Sequence, residues 1–259
     1  MLSDELFLRY QRQISVEEVG ELGQERLSKS HVLIVGCGGL GCSVALFLAA
    51  SGIGKMVLCD DDIVESSNLQ RQIAYRVNDV GQPKVDALAN QISDLNPNVS
   101  VRKLAKRLEP NQLGLETMLA DIVIDCTDNF QSRQMINLAC YKSKKLLISG
   151  AAIGWKGQLA VFNYSKDSAC YRCLNPLDKH TQTNNCTTAG IVGPVVGTIG
   201  NLQALVAIQI IALSESRFKP NVIHIFDGLQ MEWQNYQIPK DTSCDVCGVT
   251  SAITNRREA

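Results

Sequence analysis

Apolar residues recur along this chain in two rhythms, and the changes between them mark out its elements. Leu6, Tyr10, Ile14, Leu22 and Leu27 fall at helical intervals, predicting a helical opening over residues 3–29. His31–Val35 is then a continuous apolar run, as expected of a parallel strand buried on both faces. A glycine turn follows, and a helix is predicted from about Leu40 to Ser51. Further strands are predicted at Met56–Cys59, Val99–Lys103, Asp121–Asp125 and Leu146–Ile148. Helices are predicted between them at Pro83–Leu95, with proline at the first position, and at Phe130–Ser143. This alternation implies an α/β fold with a doubly wound, Rossmann-like, mainly parallel sheet.

After Gly150 the pattern changes. Gln158–Phe162 and Val222–Phe226 suit strands of a more mixed β region. The apolar stretch Ala189–Leu213 has the length of a membrane span, but Gly190, Gly193, Pro194, Gly197, Gly200, Asn201, Gln203 and Gln209 interrupt it and no basic flank borders it. A buried, glycine-notched helix pair in a core or a dimer interface is expected instead. The longest polar stretch is Asn175–Thr188, and no repeat or low-complexity tract is present.

Composition narrows the function classes. With 25 basic and 26 acidic residues the formal net charge is −1, so no nucleic-acid-binding surface is expected. Met1–Glu5 is acidic and unlike a signal peptide, which points to a cytoplasmic protein without a membrane anchor. Cys37, Cys42, Cys59, Cys126 and Cys140 sit in apolar segments, where reduced cysteine serves as a small core residue.

Four other cysteines form two pairs, Cys170 with Cys173 and Cys244 with Cys247. A two-residue spacer lets one knuckle supply two thiolates, and two knuckles complete a tetrahedral zinc site that would staple the last strands to the middle of the chain. Two separate redox dithiols are the alternative. Neither pair opens a helix after a strand, as a thioredoxin-like motif would.

Gly36, Gly38, Gly39 and Gly41 obey G-x-G-x-x-G between a strand and a helix, where glycines let the backbone approach a phosphate-bearing ligand. Asp60 ends the second strand, where a carboxylate can bond ribose hydroxyls. The run Asp60, Asp61, Asp62 packs like charges that need cations or donors beside them. Over Ser67–Gln72, Asn68 and Arg71 stand three apart, and arginine suits bidentate phosphate contacts. Lys84 falls in the first turn of a helix, against the helix dipole unless an anion lies alongside; Asp86 is the intramolecular alternative. Asp128 and Asn129 follow the fourth strand, where a carboxylate can hold Mg²⁺ against phosphates, or where both residues can simply cap the helix at Phe130. Arg133 follows shortly. An NAD-dependent oxidoreductase would use the same glycine loop, but a dinucleotide has no γ-phosphate to occupy Arg71 and Lys84. His31, His180 and His224 read as structural or solvated.

Arg9, Tyr10, Arg12 and Gln13, the glycine loop, Ser67–Gln72, Gly81–Lys84, Cys126–Asn129 and the paired knuckles, in this order over residues 8–248, resemble the ThiF/MoeB family of adenylyltransferases, bacterial relatives of ubiquitin-activating enzymes. The resemblance implies a single domain over 1–259. About 1–150 would be its nucleotide-binding half, and about 151–259 its carrier-binding and zinc half. It implies a homodimer that uses ATP and Mg²⁺ to adenylate the C-terminal glycine carboxylate of a ubiquitin-like sulfur carrier, releasing pyrophosphate, with a cysteine desulfurase or sulfurtransferase as sulfur donor. Asp60 would hold the ribose, and Asn68, Arg71 and Lys84 the phosphates. Ser67, Leu69, Gln70 and Asn129 would complete the nucleotide-binding set, Asp128 would hold Mg²⁺, and Arg12 would reach the partner subunit's site. Cys186 would link covalently to the activated carrier during sulfur transfer, or else be a loop thiol with no covalent role. The Cys186–Gly197 segment, Phe226–Gly228 and Trp233 look more like the branch acting on ThiS in thiamine biosynthesis than the branch acting on MoaD in molybdopterin biosynthesis. The carboxylate is already ionised, so no general base is required.

Overall fold

Eight strands form one sheet in the spatial order β3-β2-β1-β4-β5-β6-β7-β8. The computed structural model describes residues 2–176, 190–214 and 218–248; His180 and Cys186 lie outside them. β1 (His31–Val35) pairs in parallel with β2 (Lys55–Cys59) on one side and β4 (Ile122–Asp125) on the other. β3 (Ser100–Leu104) continues in parallel beyond β2, and β5 (Leu146–Ile153) beyond β4. From β5 the sheet turns antiparallel through β6 (Lys156–Phe162), β7 (Val222–Asp227) and β8 (Glu232–Gln237). The mainly parallel sheet continued by a mixed β region is as expected.

Alternation along β1 explains why both faces are covered. Val32 and Ile34 enter one apolar layer and Leu33 the other, so the strand has no polar face to give to water. The first layer lies under α2 (Gly20–Lys29), α3 (Gly39–Ala50), α4 (Lys84–Leu95) and α8 (Gly193–Leu213). The second lies under α5 (Pro110–Leu119), α6 (Phe130–Ser143) and α7 (Tyr171–Leu174), beside the cysteine knuckles. α1 (Asp4–Ile14) docks through buried Tyr10, whose hydroxyl accepts from the Asn96 amide at 2.8 Å.

Several elements differ from the sequence pattern. The opening segment is two helices, because residues 15–19 turn and Gly20 takes φ +55°. Pro83 is the cap of α4 rather than its first residue. The expected helix pair is a single 21-residue helix, α8. It is long and apolar enough to cross a membrane, yet half of its apolar window is buried within the fold, as in a core helix. At Gly200 a Cβ would stand 2.7 Å from the Leu40 carbonyl oxygen, so glycine is what lets α8 lie against α3. α5 and β8 were absent from the sequence reading. In α5, Leu115, Met118 and Leu119 are exposed while Leu113 is buried, so its apolar positions trace no single face. All six residues of β8 are exposed, which leaves no buried face to be read.

Candidate active site

A cleft of about 990 Å³ opens at the carboxyl ends of β1, β2, β4 and β5, where the chain leaves β1 and β4 in opposite directions. This is where open α/β sheets bind ligands. Gly36, Gly38, Gly39, Asp60, Ser67, Asn68, Arg71, Lys84, Asp128 and Asn129 all line it. Gly41, Leu69, Gln70 and Arg12 are not part of its wall.

The glycine loop is shaped by close backbone approaches. Gly36 has φ +94°, and a Cβ there would stand 2.7 Å from the Cys126 carbonyl oxygen; one at Gly41 would meet the Gly36 oxygen at 1.9 Å. Gly41 is thus a packing position. Gly38 differs: only the Gln72 amide nitrogen lies within 4 Å of its would-be Cβ, at 3.8 Å, so its missing side chain leaves room over the cleft. Leu69 packs against the first apolar layer, and the Gln70 backbone meets Gly193 of α8.

The three acids resolve their repulsion separately. Asp60 accepts from the Cys37 amide at 2.6 Å and the Asp62 amide at 2.8 Å. Burial pushes its carboxyl above the usual range, against the pull of those amides. Asp61 lies 3.8 Å from Arg107, and Asp62 accepts from the Lys84 ammonium at 2.8 Å. Lys84 is 5% exposed and opens α4, so its charge stays in an unfavourable end of the helix dipole only because anions can reach it. Asp86, the alternative partner, pairs instead with Lys103 at 2.7 Å.

In the same cleft wall, a 3₁₀ turn at Ser66–Asn68 carries the amide, and Arg71 with its guanidinium follows just beyond it. Asn68 Oδ1 accepts from the Glu65 amide at 3.1 Å, and Arg71 donates to the Ser67 carbonyl at 3.1 Å. Tyr75 ties the two sides together: its hydroxyl donates to the Cys37 carbonyl at 2.6 Å and also meets the Lys84 carbonyl at 3.3 Å. Sequence reasoning missed Tyr75, since its role lies in contacts with Cys37 and Lys84, which are distant along the chain. It also left Gln72 without a role. Gln72 is 3% exposed in the cleft wall, and its Oε1 has no hydrogen-bond partner among the described residues. A buried polar atom left open beside Gly38 suits a polar ligand in the cleft.

On the β4 side the two readings of Asp128 and Asn129 separate. Asn129 caps α6, its side chain accepting from the Ser132 amide at 2.9 Å. Asp128 is exposed on the cleft and holds no hydrogen bond or ion pair among the described residues, so its oxygens suit a hard cation. Arg133 donates to the carbonyls of Thr127 and of Gly150, the latter at 2.9 Å. Burial opposes its charge, but neighbouring Asp125 and Tyr171 hold its pKa above the usual value. Arg12 lies in the last turn of α1, exposed and outside this cleft.

Away from the cleft floor, the four knuckle sulfurs converge. Sγ–Sγ separations are 3.8 Å for Cys170–Cys244, 3.3 Å for Cys173–Cys247 and 4.0 Å for Cys170–Cys173, and all four ligand atoms lie within 4.8 Å of one another. Tetrahedral zinc with Zn–S near 2.3 Å needs edges of about 3.8 Å, so the thiol set fits one zinc. The two nearest contacts join different knuckles, which removes the alternative of two independent dithiols. The Asn137 amide donates to Cys170 Sγ at 3.7 Å and the Asp241 backbone amide to Cys173 Sγ at 3.5 Å, as thiolate ligands require.

The ThiF family model matches residues 10–246. The sulfur carrier protein ThiS adenylyltransferase of Escherichia coli K12 is 42% identical over 251 residues, covering 97% of this chain and 99% of that protein. The molybdopterin-synthase adenylyltransferase of Escherichia coli K12 is 38% identical over 247 residues, covering 95% and 98%. Among solved structures, Escherichia coli MccB bound to an MccA variant superposes with a TM-score of 0.81 at 23% identity, covering 93% of this chain and 75% of that one, a likeness of fold.

Proposed function

The chain belongs to the ThiF family and is an adenylyltransferase, and from that premise we propose that it adenylates the C-terminal glycine carboxylate of a ThiS-type sulfur carrier for thiamine thiazole biosynthesis. One observation carries the reading: Lys84, Arg71 and Asn68 converge on the same cleft as the glycine loop, a cationic wall suited to a triphosphate. Identity of 42% to the ThiS enzyme against 38% to the molybdopterin-synthase enzyme favours the ThiS carrier over the MoaD type.

In this reading Asp60 bonds the ribose of ATP, while Asn68, Arg71 and Lys84, with Ser67 beside them, take the phosphates. Leu69 and Gln70 act through the turn that presents these groups, and Asn129 through the capped helix behind Asp128. Asp128 would hold Mg²⁺, which when bound draws charge from the phosphate oxygens. A carboxylate oxygen of the carrier glycine forms a bond to the α-phosphorus as the bond to the pyrophosphate oxygen breaks. No proton moves. The barrier is the approach of one anion to another, and the work of Lys84 and Arg71 is to neutralise charge that grows on the departing pyrophosphate. ATP–pyrophosphate exchange run separately with ThiS and MoaD carriers tests this: exchange is expected with ThiS, and faster than with MoaD. Equal or greater exchange with MoaD would transfer the assignment to the molybdopterin branch.

Arg12 sits outside its own cleft, which suits a role across a homodimer. Arg12→Ala and Lys84→Ala homodimers should each be inactive, and mixing them should restore part of the activity, since one hybrid site regains both residues. Confirmed heterodimers without any rescue would return Arg12 to its own subunit. Cys186 we assign to sulfur transfer, after a cysteine desulfurase or sulfurtransferase delivers sulfur in the cytoplasm. Cys186→Ser should form carrier adenylate at the normal rate yet yield little carrier thiocarboxylate in the complete system; a normal thiocarboxylate yield would remove that role.

A further inference from the structure

Tyr75 is buried where three parts of the cleft wall meet. Its hydroxyl donates to the Cys37 carbonyl at 2.6 Å and lies 3.3 Å from the Lys84 carbonyl. Its backbone amide donates to the Gln72 carbonyl at 3.1 Å, and the Arg71 and Gln72 amides both donate to the Asn68 carbonyl, at 3.1 and 3.0 Å. One residue thus joins the glycine loop, the Asn68–Arg71 segment and the start of α4.

The consequence falls on the peptide between Cys37 and Gly38. Cys37 is held by both of its backbone groups: its amide donates to Asp60 at 2.6 Å, and its carbonyl accepts from Tyr75. The Cys42 thiol, a weak donor, approaches that carbonyl only at 3.5 Å. The peptide is trans, so the Gly38 N–H points away from the carbonyl that Tyr75 holds. Gly38 lines the cleft, and no described residue accepts a hydrogen bond from its amide. Lys84 is fixed from the same point. Its amide donates to the Asp62 carbonyl at 3.0 Å and its ammonium to the Asp62 carboxylate at 2.8 Å, while Tyr75 meets its carbonyl.

We propose that Tyr75 is a positioning residue for a bound phosphate: its hydroxyl locks the Cys37–Gly38 peptide so that the Gly38 amide faces the cleft as an anion donor, at a set place relative to Lys84. That the phosphate belongs to ATP rests on the adenylation reading; that Tyr75 holds the two loops does not.

Tyr75→Phe keeps the ring in the core and removes only the hydroxyl. In the ligand-free, zinc-loaded full chain, amide hydrogen exchange at Cys37 and Lys84 should accelerate about tenfold, the effect of leaving buried carbonyls without a donor. Ser132, whose amide is bonded at the start of α6, should keep the wild-type rate. Binding is then compared for ATP with Mg²⁺, for inorganic pyrophosphate, and for adenosine, which presents base and ribose without phosphates. Tyr75→Phe should weaken ATP and pyrophosphate about tenfold and leave adenosine unchanged. Gly38→Pro deletes the amide itself: φ at Gly38 is −74°, within the range of proline, and its would-be Cβ has no neighbour nearer than 3.8 Å. It should show the same selective loss, and the double variant should be no weaker than Gly38→Pro alone, because both changes act on one N–H. Unchanged ATP and pyrophosphate affinity in Tyr75→Phe, an equal loss for adenosine, or wild-type exchange at Cys37 and Lys84 would overturn the proposal. If the wild type binds pyrophosphate but adenylates no carrier, the adenylation reading falls while the affinity and exchange comparisons still decide this one.

Discussion

Lys84→Ala will lower carrier-adenylate formation by about 10²–10³-fold, the effect of deleting one preorganised charged contact at a site where charge develops. The ammonium is buried at the start of α4, aimed by Asp62, and no other lysine occupies that position in the cleft. Stability will change little. Asp62 keeps 68% of its side chain in solvent, so loss of its partner leaves a hydrated carboxylate rather than a buried orphan charge. Arg71→Ala will produce a similar loss, and the double variant will lose less than the product of the two, since both act on one triphosphate. Steady-state exchange with thermal unfolding on the same preparations checks both halves. Near-normal rates in the single variants would remove the cationic wall from the reaction.

Cys244→Ser will act in the opposite sense, on the fold before the chemistry. Four thiolates close the coordination shell and leave no position for a reactant. The variant should retain no tightly bound zinc and unfold about 10 °C or more below the wild type, as a loss of about 3–5 kcal/mol implies for a domain of this size. The cost is high because the site joins α7 to the segment after β8, which otherwise holds to the fold through buried Ile238 and single polar contacts such as Arg172 with Asp245. Below its unfolding midpoint the variant should bind ATP far better than Lys84→Ala does, because no knuckle cysteine lines the cleft. Zinc content with calorimetry tests it. A metal-free wild type of undiminished stability would show that the four sulfurs pack without a metal.

Features with a strong local cause were legible in the sequence. β1 and α6 appear with the expected bounds, one as an uninterrupted apolar run and the other between an asparagine cap and a basic last turn. The glycine loop, Asp60, Asn68, Lys84 and Asp128 were legible because each sits at or beside an element end, where chain direction brings it to the cleft, and Arg71 because it stands three residues after Asn68. The remaining contacts depend on residues far apart in the chain. Asp62 rather than Asp86 meets Lys84, because the backbone of Asp62 and Lys84 pairs across the crossover and Asp86 turns toward β3. Tyr75 and Gln72 matter through what they touch or leave open. Arg133 reaches the Thr127 and Gly150 carbonyls only once β4 and β5 are side by side. β8 carried no apolar alternation to read, and α5 divided its apolar residues between core and solvent.

The adenylyl group itself can be followed. ATP labelled at the α-phosphate, incubated with the zinc-loaded protein, Mg²⁺ and a ThiS-type carrier, then quenched in acid, should leave label on the carrier's C-terminal glycine as an acyl adenylate. Pyrophosphate should appear in equal amount, and a carrier lacking that terminal glycine should take none. Absence of label from both ThiS-type and MoaD-type carriers, with zinc and Mg²⁺ present, would contradict adenylation at this cleft.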